Sequence, residues 1–118
     1  MAIERGDIFW HDFGVPQDSR QGGARPVLVV QSDSLNRIVG YTLTVIVPLT
    51  TKERPAATFA RIEPTLQNGL KSTSWAICNQ LFTVPKAALS ERSGRVSPEV
   101  MEEVERGISI TLGITRAR

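Results

Sequence analysis

Arg25, set between Gly22-Gly23 and Pro26, is the residue of this chain best suited to handling a phosphate. A guanidinium is a permanent cation whose planar donor fork matches phosphate oxygens, and it can stabilise the extra charge of a pentavalent phosphorane. The two glycines allow a tight turn that a phosphate can approach closely, with Ser19 and Gln21 just upstream. Two further polar groups stand at the ends of apolar runs. Thr50-Thr51-Lys52 brings hydroxyls and an amine just past one run, and Asn79-Gln80 places two amides between two others. Hydroxyls, amides and cations of this kind can hold a phosphate and read base edges. Singly, each group also fits an ordinary structural role: Gly-Gly a turn, Thr-Thr after Pro-Leu turn chemistry, Asn-Gln a bulge or hairpin.

The rest of the composition narrows the chemistry. One cysteine, Cys78, allows no intrachain disulfide, and with a single histidine, His11, and few clustered acids it leaves no zinc set and no two-histidine acid–base pair. Within Ser74-Trp75-Ala76-Ile77-Cys78, the cysteine reads as a small buried hydrophobe. Apolar content of 41% and charged content of 22% are globular values over 118 residues, a length that suits one domain spanning residues 1–118. No apolar run reaches the ~20 residues that span a bilayer, and Met1-Ala2-Ile3-Glu4-Arg5 lacks the form of a signal peptide, so a cytoplasmic protein is expected. The formal charge of +2 is unevenly spread. Glu99, Glu102, Glu103 and Glu105 face only Arg106 within the last predicted helix, so the remainder is distinctly basic. That distribution permits contact with nucleic acid without requiring it.

The elements that must position these residues are mostly strands. Asp7 to Phe13 alternates as a first strand with Ile8 and Trp10 packed, and Phe9 and Phe13 on the far side. Gly14 to Ala24 is a long polar loop, expected to be mobile, and Val27 to Val30 form a strand buried on both faces. Ser32 or Asp33 caps a short helical turn. Further strands are predicted over 42–47, ending at Pro48, and over 58–62, 74–78 and 80–84, with Asn68-Gly69 as a turn and 85–89 as one helical turn. Ser97 and Pro98 start an amphipathic helix bearing Val100, Met101, Val104, Ile108, Thr111 and Leu112, and Gly113 stops it. About six short strands and a C-terminal helix make a mainly β fold, a small curved sheet or barrel capped by the helix.

In order, the blocks Gly6-Asp7-Ile8-Phe9-Trp10-His11-Asp12-Phe13, Ser19-Arg20-Gln21-Gly22-Gly23-Ala24-Arg25-Pro26, Val47-Pro48-Leu49-Thr50-Thr51, Asn79-Gln80-Leu81-Phe82 and Gly94-Arg95-Val96-Ser97-Pro98-Glu99 resemble the MazF/PemK/Kid family of toxin–antitoxin endoribonucleases. The resemblance spans roughly residues 5 to 114. It implies an SH3-like barrel of the CcdB/PemK type, found as a homodimer without a cofactor, that cuts single-stranded RNA at short sequences without metal. The 2′-hydroxyl would attack, leaving 2′,3′-cyclic phosphate and 5′-hydroxyl ends. Carried onto this chain, the catalytic positions fall on Arg25, which stabilises phosphorane charge, and Thr50, which binds the scissile phosphate. Ser19, Gln21, Gly22, Gly23, Thr51, Lys52, Asn79 and Gln80 fall on the substrate-binding groove. A guanidinium is a poor proton donor near neutrality, so charge stabilisation is the better role for Arg25.

Two positions depart from the pattern. Arg20 and Asn79 stand where many members carry acids, which alters hydrogen-bond polarity where bases would be read. Phe82 replaces a frequent basic residue and offers either a stacking face or a buried strand position. No general base is evident; His11 is the one ordinary candidate and is expected as a surface histidine. The resemblance further implies a cognate antitoxin with an acidic C-terminal tail and no membrane partner. The alternatives are a gyrase-poisoning toxin of the same fold, which would act through its C-terminal helix, and an SH3-like interaction module.

Overall fold

The computed structural model describes residues 2–16 and 18–114. Its strands are β1 (Asp7–Asp12), β2 (Ala24–Val29), β3 (Leu43–Thr50), β4 (Phe59–Ile62), β5 (Ser74–Ile77), β6 (Phe82–Pro85) and β7 (Arg92–Arg95), with helices α1 (Asp33–Asn36) and α2 (Pro98–Leu112). They form one sheet in the order β4-β5-β3-β2-β1-β7, and β6 pairs with the first half of β3. Neighbouring strands are antiparallel throughout.

Alternation along β2 explains why the sheet carries a core on each face. Leu28 and Val30 join Ile8, Val47, Leu49, Ile62, Ala76 and Cys78 beneath Met101 and Val104 of α2. Val27 and Val29 instead join Phe9, Ile46, Val84 and Leu89 on the opposite face. Val27, Leu28 and Val29 are fully buried, as expected for a strand covered on both sides. On the second face Phe13 packs onto Phe82 with ring centroids 4.8 Å apart. The result is a half-barrel with α2 packed on the first face.

Several expectations are corrected. There are seven strands rather than six: Arg92-Ser93-Gly94-Arg95 has no apolar side chain to signal a strand, yet it pairs with β1. β3 runs through Pro48 to Thr50, because Pro48 falls between Ile46, where β6 pairing ends, and Leu49, where β5 pairing begins. A proline there forfeits no rung to either neighbour on that side. β6 starts at Phe82, leaving Asn79 and Gln80 in the preceding turn. Trp10 is exposed rather than packed, since α2 covers Ile8 but does not reach two residues further along the strand.

α2 has the boundaries its sequence signals. The Ser97 side chain accepts a hydrogen bond from the Val100 amide, Pro98 occupies the first turn, and Gly113 takes the left-handed conformation at φ +68°. Its buried face is Met101, Val104 and Gly107, while Leu112, expected in the stripe, is exposed. Gly107 is required by proximity: a Cβ there would lie 2.8 Å from Cβ of Cys78.

Candidate active site at the mouth of the half-barrel

The face that carries Phe9 and Val27 ends in a row of polar residues one step beyond its core. On β1 and β2, Phe9 opposes Val27, and the next residues on that face, His11 and Arg25, oppose each other. The β2–β3 ladder runs from Val29–Ile46 to Val27–Pro48, and two residues past its end Arg25 and Thr50 fall on the same face, with Nη1 of Arg25 bonded to the Leu49 carbonyl next to Thr50. Thr50 in turn opposes Trp75 on β5. Directly opposed residues of antiparallel strands point to the same face with Cβ atoms about 5 Å apart. His11, Arg25 and Thr50 are thus adjacent members of one row, brought together from residues far apart in sequence.

Arg25 is half-buried and held from two sides. Its Nε donates to the Gly22 carbonyl at 3.1 Å and Nη1 to the Leu49 carbonyl at 3.2 Å. Both partners are carbonyls, so no carboxylate neutralises the guanidinium among the described residues. A guanidinium has five N–H donors, and the second hydrogen of Nη1 and both of Nη2 are left for a ligand. Gly22 is fixed in this role by packing, since a Cβ there would lie 2.4 Å from Cδ of Pro16. Thr50 is buried to 8% exposure, and its hydroxyl oxygen accepts from the Lys52 amide at 3.2 Å. Its own hydroxyl proton is therefore available to an acceptor.

The 14–23 loop is tied down at both ends of its stem. Phe13 and Gly23 continue the hairpin, the Phe13 amide donating to the Gly23 carbonyl and the Gly23 amide to Gly14. Farther out, Gln80 bridges the loop to the β5–β6 turn: the Gln21 amide donates to Oε1 of Gln80 at 3.0 Å, and Nε2 of Gln80 donates to the Ser19 carbonyl at 3.3 Å. Asn79 reaches Oγ1 of Thr58 through its Nδ2 at 3.4 Å. Arg20 is paired with Asp18 at 2.8 Å. That hydrogen bond holds the Asp18 carboxyl below its usual value and raises the Arg20 guanidinium above its own.

The sequence-derived set therefore divides. Ser19, Gln21, Asn79 and Gln80 line one cavity of about 350 Å³, to which the structure adds Arg54, Phe59 and Ile77. Arg25, with Gly22 and Gly23 behind it, and Thr50 stand beside each other in the row. Thr51 is separated from Thr50 by the strand's alternation and lines a different groove with Trp10, Pro26, Leu70 and Lys71. Lys52 is exposed and touches Thr50 through its backbone. Arg54 had no signal beyond its charge inside a proline-containing loop. Phe82 is half-buried and lines a pocket with Phe13, Val15, Pro16, Arg20 and Gln21. His11 was expected at the surface; it is half-buried, its ring edge-on to Phe13 with centroids 4.6 Å apart.

Away from the mouth, Cys78 has the structural role its neighbours suggest. It is fully buried beneath α2, and that burial pushes its thiol up to about 11. Among the described residues, no helix is long and apolar enough to cross a membrane.

Comparison with known proteins matches nearly the whole chain. Residues 4–112 match the family model described as PemK-like, MazF-like toxin of type II toxin–antitoxin system. A probable endoribonuclease MazF of Mycolicibacterium smegmatis is 33% identical over 113 residues, covering 95% of this chain and 98% of the relative. Endoribonuclease EndoA of Bacillus subtilis is 27% identical, with 97% of each chain covered. Among solved structures, a mycobacterial endoribonuclease in complex with its cognate antitoxin superposes with a TM-score of 0.81 at 26% identity, covering 98% of this chain and all of that one. With seven strands, a C-terminal helix and an uninterrupted family match, the chain belongs to the PemK-like, MazF-like toxins of type II toxin–antitoxin systems.

Proposed function

We propose that this chain is the toxin of a type II toxin–antitoxin pair, one cytoplasmic toxin domain over residues 1–118, and that it cuts single-stranded RNA by internal transesterification without a metal. The observation that carries the reading is the Arg25 guanidinium bonded to the Leu49 carbonyl, beside Thr50 at the end of the neighbouring strand. An un-neutralised guanidinium with free donors and a hydroxyl with a free proton face the same space from adjacent strands.

An RNA phosphate seated there accepts from Arg25 and from the Thr50 hydroxyl. The ribose 2′-oxygen attacks phosphorus, the P–O5′ bond breaks, and the products end in a 2′,3′-cyclic phosphate and a 5′-hydroxyl. Charge on the phosphoryl oxygens rises towards the phosphorane, and donors already fixed in place by Gly22 and Leu49 need no reorganisation to meet it. Ser19, Gln21, Asn79 and Gln80 contact bases. Lys52 and Arg54, both exposed, contact neighbouring phosphates. Thr51, on the other side of the strand end, contacts the strand as it leaves the mouth.

The chain acts as a homodimer, the half-barrels together bounding one groove. Its antitoxin covers that groove with an acidic tail, which competes with RNA for the same cations. The test is product chemistry. Mixed-sequence RNA incubated with the protein in EDTA should yield fragments with 2′,3′-cyclic phosphate and 5′-hydroxyl ends, and 2′-deoxyribose at the cut position should block cleavage. Cleavage of the deoxy substrate, or fragments bearing 5′-phosphate, would refute the reading.

A further inference from the structure

We propose that His11 is the catalytic base of this site, taking the proton from the attacking 2′-hydroxyl; the proposal rests on the ribonuclease reading above. His11 opposes Arg25 directly on the neighbouring strand, which sets its ring on the same face as the Arg25–Thr50 pair. From a Cβ about 5 Å from that of Arg25, an imidazole spans the space beside a phosphate held by the guanidinium.

The environment of the ring sets it apart from a structural histidine. Nδ1 of His11 is the one buried side-chain nitrogen or oxygen among the described residues that has no hydrogen-bond partner. Leaving such an atom unpaired costs about 1–3 kcal/mol. The flanking residues on that face are Phe9 and Phe13, and an apolar side chain would satisfy the position without that cost. An uncompensated polar group calls for a functional explanation. The edge-on contact with Phe13, at an interplanar angle of 85°, also fixes the ring plane.

The hydroxyls, amides and cations at the mouth do not take the proton. Ser19, Gln21, Thr50, Asn79 and Gln80 do not take protons near neutrality, and Arg25, Lys52 and Arg54 are cations. Asp18 is engaged by Arg20, and the Asp12 carboxylate accepts from the Gly14 amide at 2.8 Å. Imidazole is the side chain that accepts and releases a proton in this range. The charges around it are Arg25 across β2, Asp12 next in the chain, Asp18 and Arg20 in the loop, and Glu91 and Arg92 on the β7 side, where Arg92 is held by Asp7.

In the step, the O2′–H bond breaks and its proton goes to the imidazole while the O2′–P bond forms. The O5′ atom leaves with the P–O bonding pair and takes a proton from water, and the imidazolium returns its proton to solvent.

The experiment measures single-turnover cleavage of a short RNA against pH, over protein concentrations from below half-saturation up to saturation. Wild-type protein should show a rate that falls on the acid side. His11→Gln should lose about 10²–10⁴ in rate together with that acid limb, with KM for the RNA little changed. His11→Ala should regain rate with added imidazole. A wild-type profile with no acid limb overturns the proposal without any variant. So does a His11→Gln enzyme that cuts at the wild-type rate, or one whose defect lies in KM alone, which would make His11 a base-reading residue. Rescue of His11→Ala by a 5′-thio leaving group would make His11 an acid instead. If wild-type protein cuts no RNA at all, it is the ribonuclease reading that fails.

Discussion

In the proposed reaction Arg25 carries the heaviest chemical demand, and its replacement should separate catalysis from folding. In Arg25→Ala, hydrogen bonds to the Gly22 and Leu49 carbonyls vanish together with the charge aimed at the phosphate. Bonds from a charged donor contribute about 1.5–3 kcal/mol each when buried. Arg25 is half-exposed and water replaces part of what is lost, so the pair should contribute about 1–2 kcal/mol to stability. The transition-state loss is larger. Removing one preorganised donor from a developing oxyanion costs about 10²–10³ in rate, and Arg25 offers several donors besides a full charge, so at least about 10³ is expected. Arg25→Lys keeps the charge, but one ammonium cannot hold both carbonyls and the phosphate, and a loss near 10² is expected. Urea unfolding reads the first quantity, and single-turnover cleavage at saturating protein reads the second. An Arg25→Ala protein that folds and cuts within about threefold of wild type would refute the assignment of the site, not just the magnitude.

Three other perturbations test the fold and the site. A Cβ at Gly94 would lie 2.3 Å from the Gln67 carbonyl oxygen and 2.4 Å from the Asn68 carbonyl carbon, so Gly94→Ala should cost about 3 kcal/mol in urea unfolding, and a loss under 0.5 kcal/mol would show that the 64–69 turn gives way. Gln80→Ala releases Gln21 and Ser19 and should lower kcat/KM about tenfold, mostly through KM, while leaving unfolding unchanged; a defect in kcat alone would contradict the bridging role. Burial raises the Cys78 thiol from 9.0 to about 11, so the fold favours the neutral form. That stabilisation is complete below pH 9 and is lost as pH rises towards 11, by roughly 2–3 kcal/mol. Unfolding free energy measured from pH 8 to 11 should fall in wild type and fall less in Cys78→Ala, and parallel slopes would refute the linkage.

The parts of the fold that were legible in sequence are those where one local signal decides. Ser97-Pro98 and Gly113 bound α2 because a capping hydroxyl, a missing amide and a left-handed glycine each act within one turn. Val27 to Val30 read as a strand buried on both faces because both of its faces are indeed covered. What stayed hidden depends on distant chain. β7 is made by Gly94, which lets the 64–69 turn press against it, and by Arg92 and Arg95, which pair with the buried Asp7 carboxylate. None of those partners is near in sequence, and a Gly-flanked arginine pair has no strand periodicity. Trp10 was misplaced for the same reason: alternation gives its face, but the reach of α2 decides whether that face is covered.

At the candidate site, residue type and chain order pointed to Arg25, Thr50, Gln21 and Gln80, since guanidinium, hydroxyl and amides imply their own uses. Register was the missing quantity. It separates Thr50 from Thr51, adjacent in sequence but on opposite sides of a strand end, and it joins Thr50 to Arg25 and Arg25 to His11. A strand with one fewer residue between Phe9 and Phe13 would turn His11 away from Arg25 while leaving every motif intact. For this reason the Arg25–Thr50 pair could be inferred from a motif, whereas the third member of the row could not. The distinction predicts how the two substitutions combine: if His11 and Arg25 act on one phosphate in one step, Arg25→Ala and His11→Gln together should cost much less than the product of the two separate losses. Full multiplicativity would mean that the opposed side chains work independently, and the row would then be a feature of the sheet and not of the reaction.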